Sequence, residues 1–217
     1  MAKKTKITRQ IIIGFYMEEL LNKGYKPKSI YAFCKAFNFN EELFYKEFAS
    51  FESLEKEIWN EFIFKTLEIL ASDENYTNYL AKQKLLSFYY TFFEMLSANR
   101  SFVLMILQDK MKNPSTQKKL SGLKKNFIQY ITNLDINILE IKNETLDKIK
   151  DRTFHEGAWI QLLYTIDFWI NDESKEFEKS DVFIEKSINA TFDLIDTTPA
   201  KSVFDLAKFL WKEKTGN

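Results

Sequence analysis

Residues 24–54 read GYKPKSIYAFCKAFNFNEELFYKEFASFESL, and the order of helices and turns is clearest in this segment. Ser29 is a good helix N-cap, and the apolar side chains after it have helical spacing over 30–37. Asn38 suits a tight turn, because asparagine tolerates the left-handed backbone better than most residues do. A further short helix is predicted over 41–48, after a second capping asparagine. The stretch therefore predicts two short helices joined by a tight turn.

Helical spacing continues on both sides of this stretch. An amphipathic segment over 8–21 ends before Gly24, and a long helix is predicted over 52–70. Three short helices with a break before the third are typical of a helix-turn-helix, whose third helix lies in the DNA major groove. The stretch 135–152 is either a helix or a long ordered loop. Further helices are predicted over 76–98, 101–112, 115–134, 154–171, 180–196 and 200–213.

The composition favours long helices with few turns. The 217 residues include 5 Gly and 3 Pro, whereas ordinary usage would give about 26 of the two together. So few turn formers exclude an all-β sandwich or barrel, and a hydrophobic content of 45% excludes disorder over most of the chain. No apolar run reaches the ~18 residues of a membrane span. Cys34 is the single cysteine, which excludes an internal disulfide, and we expect a cytoplasmic protein.

Charge is uneven along the chain, although the net charge is zero. Residues 1–48 carry nine basic and five acidic side chains, a net charge of +4, and the remaining residues carry −4. A basic segment on an acidic body suggests a module that faces a polyanion such as nucleic acid. A merely solvated surface fits the same charges equally well.

The residue types needed for common enzyme chemistry do not cluster in this sequence. His155 is the only histidine, so no His/Cys set can supply the three protein ligands of a catalytic zinc. The five glycines are scattered singly, which excludes a glycine-rich phosphate loop. We therefore expect no catalytic residues, no metal, no cofactor and no enzyme activity.

An ungapped pattern over residues 12–54 carries a resemblance to a known family. The matching residues are Gly24-Tyr25, Ser29-Ile30, Phe33-Cys34-Lys35, Asn38-Phe39-Asn40, Phe44-Tyr45, Phe48 and Ser50 through Leu54. In this register the chain resembles the N-terminal domain of the tetracycline-repressor (TetR) family. The resemblance implies an all-α TetR-like fold, with a three-helix helix-turn-helix domain at 1–50 and a larger ligand-binding and dimerisation domain at 51–217. It also implies a homodimeric, DNA-binding transcriptional regulator with an apolar ligand pocket.

The resemblance further implies where operator DNA, a double-stranded partner, would be contacted. Ser29 and Tyr45 would touch phosphate, Lys46 would add a phosphate contact, and a basic N-terminal arm would reach the flanking backbone. The expected DNA contacts are Lys3, Lys4, Lys6, Arg9, Ser29, Asn40, Glu41, Tyr45 and Lys46.

Four positions depart from the family pattern. Asn38 replaces the turn glycine, Glu42 replaces a small residue, Glu47 replaces a usual His or Tyr, and Phe51 replaces a usual Lys. Residues 40–48 carry three Glu and one Lys, and a net-negative reading helix is a handicap against phosphates. Glutamate can still accept a hydrogen bond from cytosine, so these residues do not exclude DNA binding.

The body contains aromatic and Met side chains that suit the lining of an apolar ligand pocket, with Gln108, Tyr130 and His155 as its polar contacts. The alternative is that the same side chains fill a solid core. The expected lining is Phe88, Phe92, Phe93, Leu96, Phe102, Met105, Ile106, Gln108, Phe127, Tyr130, His155, Trp159 and Leu163.

The segment 180–196 has two apolar stripes and therefore needs two packing partners. One stripe can face its own core while the other faces a twin helix, which together with 154–171 would form an intermolecular four-helix bundle. The alternative is a helix buried within a monomer. The expected dimer contacts are Phe183, Ser187, Ala190, Leu194, Leu162, Ile166 and Trp169.

A second resemblance suggests an alternative function. The run from Phe168 to Ser174, with Phe177, Ser180 and Phe183, is similar to a segment of the ubiquinone-biosynthesis accessory proteins that share the TetR fold. Those proteins bind lipid and do not regulate transcription. The resemblance implies a lipid- or quinone-binding accessory protein with a vestigial helix-turn-helix and no DNA binding. In that case the amphipathic segment 199–213 could meet a membrane surface, or it could fold back on the body.

Overall fold

A computed structural model of the chain describes residues 6–107, 113–134, 136 and 144–196. Over these residues the regular structure is helical, with two short 3-10 turns and no β-strand. The predicted all-α fold class is therefore confirmed. The α-helices are α1 (Arg9–Lys23), α2 (Ile30–Ala36), α3 (Glu41–Glu47), α4 (Phe51–Ala71), α5 (Ala81–Ala98), α6 (Arg100–Leu107), α7 (Pro114–Lys119), α8 (Ser121–Asn133), α9 (Glu144–Ile170) and α10 (Glu178–Asp196).

The chain packs as two compact units. The first unit comprises Met1–Thr66 and Phe92–Asn126, and the second comprises Leu67–Thr91 and Phe127–Asn217. Helices α4, α5 and α8 each contribute residues to both units.

Some predicted helix boundaries are wrong. The segment 115–134 is two helices, because the Ser121 hydroxyl donates to the Lys118 carbonyl at 2.8 Å and competes with the main chain where α7 ends. The predicted helix over 76–98 instead begins with the 3-10 turn Tyr76–Asn78, and α5 starts only at Ala81. Residues 144–152, which the sequence left open, belong to α9. The predicted helix over 200–213 lies outside the described residues.

Aromatic rings form the core of the first unit around Phe33 of α2, which is fully buried. Tyr16 of α1, Phe39 of the α2–α3 turn and Phe44 of α3 each meet this ring edge-on. Edge-to-face contacts are favoured because the positive ring edge meets the negative ring face. One side chain therefore fixes three helices against each other.

The first unit also buries a carboxylate, that of Glu55 on α4. The Tyr16 hydroxyl donates to Glu55 Oε1 at 2.5 Å, and Lys26 Nζ lies 2.5 Å from the same oxygen. Lys119 Nζ, on α7, lies 3.4 Å from Oε2. Burial and the neighbouring Glu55 charge raise the pKa of Tyr16, so the phenol keeps the proton that it donates. A buried charge is tolerated only with such partners. Glu55 on α4 therefore holds three other parts of the first unit in place, namely α1, α7 and the segment that precedes α2.

In the second unit, a buried carboxylate organises the start of α10. Asp172 accepts hydrogen bonds from the backbone N–H of Ser174 and Ser180, each at 2.8 Å, and from both hydroxyls at 2.6 and 2.7 Å. The Ser180 N–H lies in the first turn of α10 and has no partner within the helix. Burial opposes ionisation of Asp172, but the hydrogen bonds from Ser174 and Ser180 outweigh it and hold its pKa well below the usual range.

Candidate functional site

The α2–α3 turn is built by local sequence signals. Ser29 caps α2, since its Oγ accepts from the Ala32 N–H at 3.1 Å. Asn38 has a φ of 57°, the left-handed conformation that the sequence predicts at this turn. The Phe39 N–H then donates to the Cys34 carbonyl at 3.0 Å and closes the turn. These bonds fix where α3 begins relative to α2.

The structure exposes most of the expected DNA contacts. Ser29, Asn40, Tyr45 and Lys46 are exposed around α2 and α3, and Glu41 is half-buried. The Tyr45 side chain is 54% exposed, so it does not pack in the aromatic core below it. In the N-terminal arm Lys6 is exposed, whereas Lys3 and Lys4 lie outside the described residues.

Several basic side chains of the first unit are engaged within the protein. Arg9 Nη2 lies 2.6 Å from Glu57 Oε1, and its guanidinium also lies over the Phe48 ring at 5.2 Å. Lys23 Nζ lies 2.5 Å from Glu19 Oε1, one turn away on α1. The positive charge that residues 1–48 offer to a polyanion is therefore smaller than the sequence count indicates.

On α3, Glu42 forms an ion pair with Lys46. Glu42 departs from the family pattern, and Lys46 is an expected phosphate contact. Lys46 Nζ lies 2.8 Å from Glu42 Oε1, and both side chains are exposed. The hydrogen bond from Lys46 and its positive charge lower the pKa of Glu42. Phosphate and Glu42 would compete for this ammonium group.

Sequence reasoning missed three exposed side chains around α2, namely Lys28, Tyr31 and Lys35. Lys28 directly precedes the Ser29 cap. The Lys35 ammonium lies 5.9 Å from the centroid of the Tyr31 ring, one helical turn away. A basic residue directly before a capping serine is the sequence signal that could have identified Lys28 as a candidate phosphate contact.

Cys34 lies below this surface and is buried. Burial, with the nearby Glu41 charge, raises the pKa of its thiol to about 11. The thiolate is the reactive form of cysteine, so this side chain is inert at neutral pH. Cys34 acts as a small apolar side chain of the core.

The expected ligand lining divides between the two units. Phe92, Phe93, Leu96, Phe102, Met105 and Ile106 lie in the first unit, and Phe88, Phe127, Tyr130, His155, Trp159 and Leu163 lie in the second. All of them are buried except Met105, His155 and Leu163, which are half-buried. Gln108 lies outside the described residues.

Within the second unit, part of this set packs together in the core. The Phe88 ring stacks on Tyr130 with centroids 4.6 Å apart and lies 5.4 Å from Phe127. The Tyr130 hydroxyl donates to the Lys84 carbonyl at 2.9 Å and lies 2.8 Å from the Tyr76 hydroxyl. His155 Nε2 lies 3.1 Å from Thr132 Oγ1. These polar groups already have partners within the protein.

Two apolar grooves open on other residues of the second unit. The Phe183 groove has a volume of about 640 Å³ and lies at the start of α10. It is lined by Phe168, Glu178, Lys179, Val182, Phe183, Lys186 and Ser187. The Phe192 groove has a volume of about 460 Å³ and lies at the end of α10. It is lined by Leu85, Ile131, Ile136, Phe154, Gly157, Ala158, Gln161, Ser187, Ala190, Thr191, Phe192, Leu194 and Ile195.

The expected dimer contacts fall into two groups. Leu162, Ile166 and Trp169 on α9 are buried within the protomer. On α10, Phe183 and Ser187 are half-buried, whereas Ala190 and Leu194 are exposed. Sequence reasoning missed a second apolar stripe on α9, whose members share a spacing of four residues and are exposed. This stripe is Ile160, Tyr164 and Phe168.

Two features are absent from the part of the chain that the structure describes. No group of three or more His, Cys, Asp or Glu side chains there is arranged to hold a metal ion. No helix in the same ranges has the length and apolar character needed to cross a bilayer.

The fold defines an all-helical protein whose first unit presents two short helices joined by a tight turn. A family model described as "Tetracyclin repressor-like, C-terminal domain" matches residues 84–210, more than half of the chain. The chain therefore belongs to the tetracycline repressor-like family, as the resemblance at residues 12–54 implied from a different part of the sequence. No curated protein sequence matches the chain significantly.

Proposed function

We propose that this protein is a homodimeric transcriptional regulator that binds operator DNA through α2 and α3 and an apolar effector in its second unit. The observation that carries the proposal is the surface around the α2–α3 turn. Its α2 cap, its turn geometry and its exposed Tyr45 and Lys46 coincide with the positions that the family resemblance assigns to DNA.

Phosphate contacts would come from both short helices. Ser29, Lys28 and the N-terminus of α2 offer donors beside the backbone, while Tyr45 and Lys46 offer donors from α3. Glu41 would then face a base edge, where a carboxylate can accept from the amino group of cytosine. In a two-fold dimer, two such surfaces would enter major grooves one helical turn apart, about 34 Å along the duplex.

Dimerisation is supported by the apolar surface that α9 and α10 share. Phe168 and Val182 are exposed and line the Phe183 groove together with Phe183, and Tyr164 is exposed one helical turn before Phe168 on α9. Soluble monomers rarely leave such a contiguous apolar surface open to water, so a second copy of this chain is its natural partner.

The effector would enter through the Phe192 groove, which is apolar and of suitable size for a small molecule. Helix α4 contributes residues to both units, so a shift of α4 on effector binding would change the spacing of the two DNA-binding surfaces. Operator affinity would change with it.

The test uses operator DNA selected from a library of random-sequence duplexes, with affinity measured by fluorescence anisotropy at several salt concentrations. Affinity should fall steeply with salt, since phosphate contacts release counterions. Lys46→Ala should weaken binding to every selected duplex. It should also reduce, by about 1, the slope of the logarithm of the binding constant against the logarithm of the salt concentration. Glu42→Gln frees Lys46 from its intramolecular partner and should strengthen binding. Lys175→Ala, an exposed lysine in the turn before α10, is the matched control and should leave affinity unchanged.

A specific observation favours the alternative of a lipid- or quinone-binding accessory protein. Glu42 and Glu47 are exposed on α3, while Arg9 and Lys23 are held in intramolecular ion pairs. Under this alternative the selection yields no duplex that binds above background at low salt, and native mass spectrometry finds a co-purified lipid. The membrane contact expected at 199–213 lies outside the described residues, and liposome flotation tests it.

A further inference from the structure

A concave surface lies between α2 and the start of α3, and we name it the Lys35 pocket. Cys34 and Phe39 are buried and form its floor. Its other side chains are exposed, except that of Glu41, which is half-buried. The pocket has a volume of about 390 Å³ and is lined by Tyr31, Cys34, Lys35, Asn38, Phe39, Asn40 and Glu41. It therefore combines an apolar floor with a polar rim.

The pocket brings expected DNA contacts together with side chains that sequence reasoning missed. Asn40 and Glu41 belong to the first group, and Tyr31 and Lys35 on α2 belong to the second. All four line the same cavity. A base edge that meets Glu41 therefore also lies within reach of the long Lys35 side chain.

The charges on this rim are available to a ligand. Among the described residues, neither the Lys35 ammonium nor the Glu41 carboxylate takes part in an ion pair. The Asn40 side chain makes no capping hydrogen bond either. Lys46 on α3, by contrast, is already paired with Glu42. The rim therefore presents two opposite charges that the described part of the chain does not neutralise.

The Tyr31 ring holds the Lys35 ammonium at the rim. The ammonium lies 5.9 Å from the ring centroid, within the range of a cation–π contact. A side chain that is already restrained loses less conformational freedom on binding, so its contact with a ligand carries a smaller entropic cost. Tyr31 is therefore a positioning residue for Lys35.

The two charges match the major-groove edge of one kind of base pair. Cytosine offers an amino donor at N4 to a carboxylate, and its partner guanine offers the acceptors O6 and N7 to a lysine. A T·A pair places the O4 acceptor where cytosine has its amino group, and a G·C pair reverses the order of donor and acceptors. An A·T pair offers the lysine one acceptor and a methyl group. A C·G pair is therefore the best partner for Glu41 and Lys35 together.

We infer that Glu41 and Lys35 read a single C·G pair in each half-site of the operator. Glu41 accepts from cytosine N4, and Lys35 donates to guanine O6 and N7 of the same pair. This inference rests on the proposed function, because it needs a bound duplex, and it adds a base contact from α2 to those of α3. It also gives the Glu41 charge a role in specificity, although the same charge weakens attraction to phosphates.

Base-pair substitution in the selected operator tests this reading. Each position of one half-site is changed to the other three pairs, and fluorescence anisotropy gives the affinity ratios for the full-length wild type, Lys35→Met and Glu41→Gln. Both variants should lose discrimination at the same C·G position, by about 5- to 150-fold, and should keep it elsewhere. Lys35→Arg should retain the preference, since arginine also donates to guanine O6 and N7. The matched control is Lys125→Met, an exposed lysine on α8, which should leave every ratio unchanged.

Other outcomes of the same measurements would overturn the inference. An equal loss of affinity for every duplex in Lys35→Met would make Lys35 a phosphate contact. Losses at different positions in the two variants would show that Glu41 and Lys35 read separate base pairs, and unchanged ratios in either variant would remove that residue from the reading. Circular dichroism checks that each variant keeps its fold.

Failure of this inference is distinct from failure of the proposed regulator. If the selection yields no duplex, DNA binding itself is wrong and the base reading falls with it. If a duplex is selected but its ratios do not change in Lys35→Met, the regulator stands and only the paired reading of a C·G pair is wrong.

Discussion

The rings of Phe168 on α9 and Phe183 on α10 stack with their centroids 4.6 Å apart and their planes inclined by 8°. This pair lines the Phe183 groove, beside the exposed Val182. Because the groove is apolar and open, the stacked pair is the centre of the surface that we assign to a second copy of the chain. Phe183→Asp should therefore convert a dimer into a monomer, since it places a charge in an interface core. Size-exclusion chromatography with light scattering measures the mass directly.

The matched control for this change is Glu185→Ala. Glu185 is exposed two residues further along α10, on the opposite side of the helix from Phe183. It should leave the mass of the dimer unchanged. A Phe183→Asp chain that keeps the wild-type mass, with an unchanged circular dichroism spectrum, would remove this surface from the dimer proposal.

Replacing Asp172 should destabilise the second unit by about 1–3 kcal/mol at neutral pH, because it removes the charged acceptor of four hydrogen bonds, two of which are buried. Asp172→Asn keeps the shape of the side chain and loses the charge. The measurement is urea denaturation, with Asp167→Asn on the exposed side of α9 as the control. Equal midpoints for the two variants would show that the Asp172 hydrogen bonds contribute no net stability.

The same carboxylate makes stability depend on pH. The folded pKa of Asp172 lies below its unfolded value, which is close to 3.9. Its contribution is therefore complete above about pH 4 and is lost as the pH falls through the folded pKa. The difference in stability between wild type and Asp172→Asn should be constant from pH 7 to pH 5 and should shrink below about pH 4. A difference that grows as the pH falls would mean that folding does not lower the pKa of Asp172.

Glu55 and Glu42 offer a comparison of a buried and an exposed ion pair. Glu55→Gln leaves Lys26 and the largely buried Lys119 without their carboxylate, and should cost about 2–4 kcal/mol. Glu42→Gln breaks an exposed pair with Lys46 and should leave stability close to that of wild type. Chemical denaturation of both variants measures the contrast. If the two variants lose the same free energy of unfolding, burial of Glu55 adds nothing to the strength of its ion pairs.

The sequence predicted the local features of this fold well, because they depend on neighbouring residues. The Ser29 cap, the helix end before Gly24 and the left-handed conformation at Asn38 are all present in the structure. Asn40 stands at the predicted N-cap position, but its side chain makes no capping hydrogen bond. Caps and turns are thus specified within a few residues of sequence.

Features that join distant parts of the chain could not be predicted in this way. Arg9 and Glu57 form an ion pair although they are far apart in sequence, and no periodicity indicates such a partner. On α9 the sequence carries two apolar stripes, one through Leu162 and Ile166 and one through Ile160 and Tyr164. Periodicity gives both stripes and cannot decide which one is buried. The structure buries the first, because the tertiary packing of the second unit covers that side of α9.

The α2–α3 turn depends on one left-handed residue, Asn38, with a φ of 57°. Asn38→Val should destabilise the first unit by about 1–2 kcal/mol, because a branched Cβ clashes with the backbone in this conformation. Asn38→Gly restores the family's turn residue, adopts the conformation without strain and should be at least as stable as wild type. Thermal unfolding of the three proteins measures the order, and operator affinity should follow it, since the turn fixes where α3 begins. A valine variant as stable as the glycine variant would mean that the turn can relax to another backbone conformation.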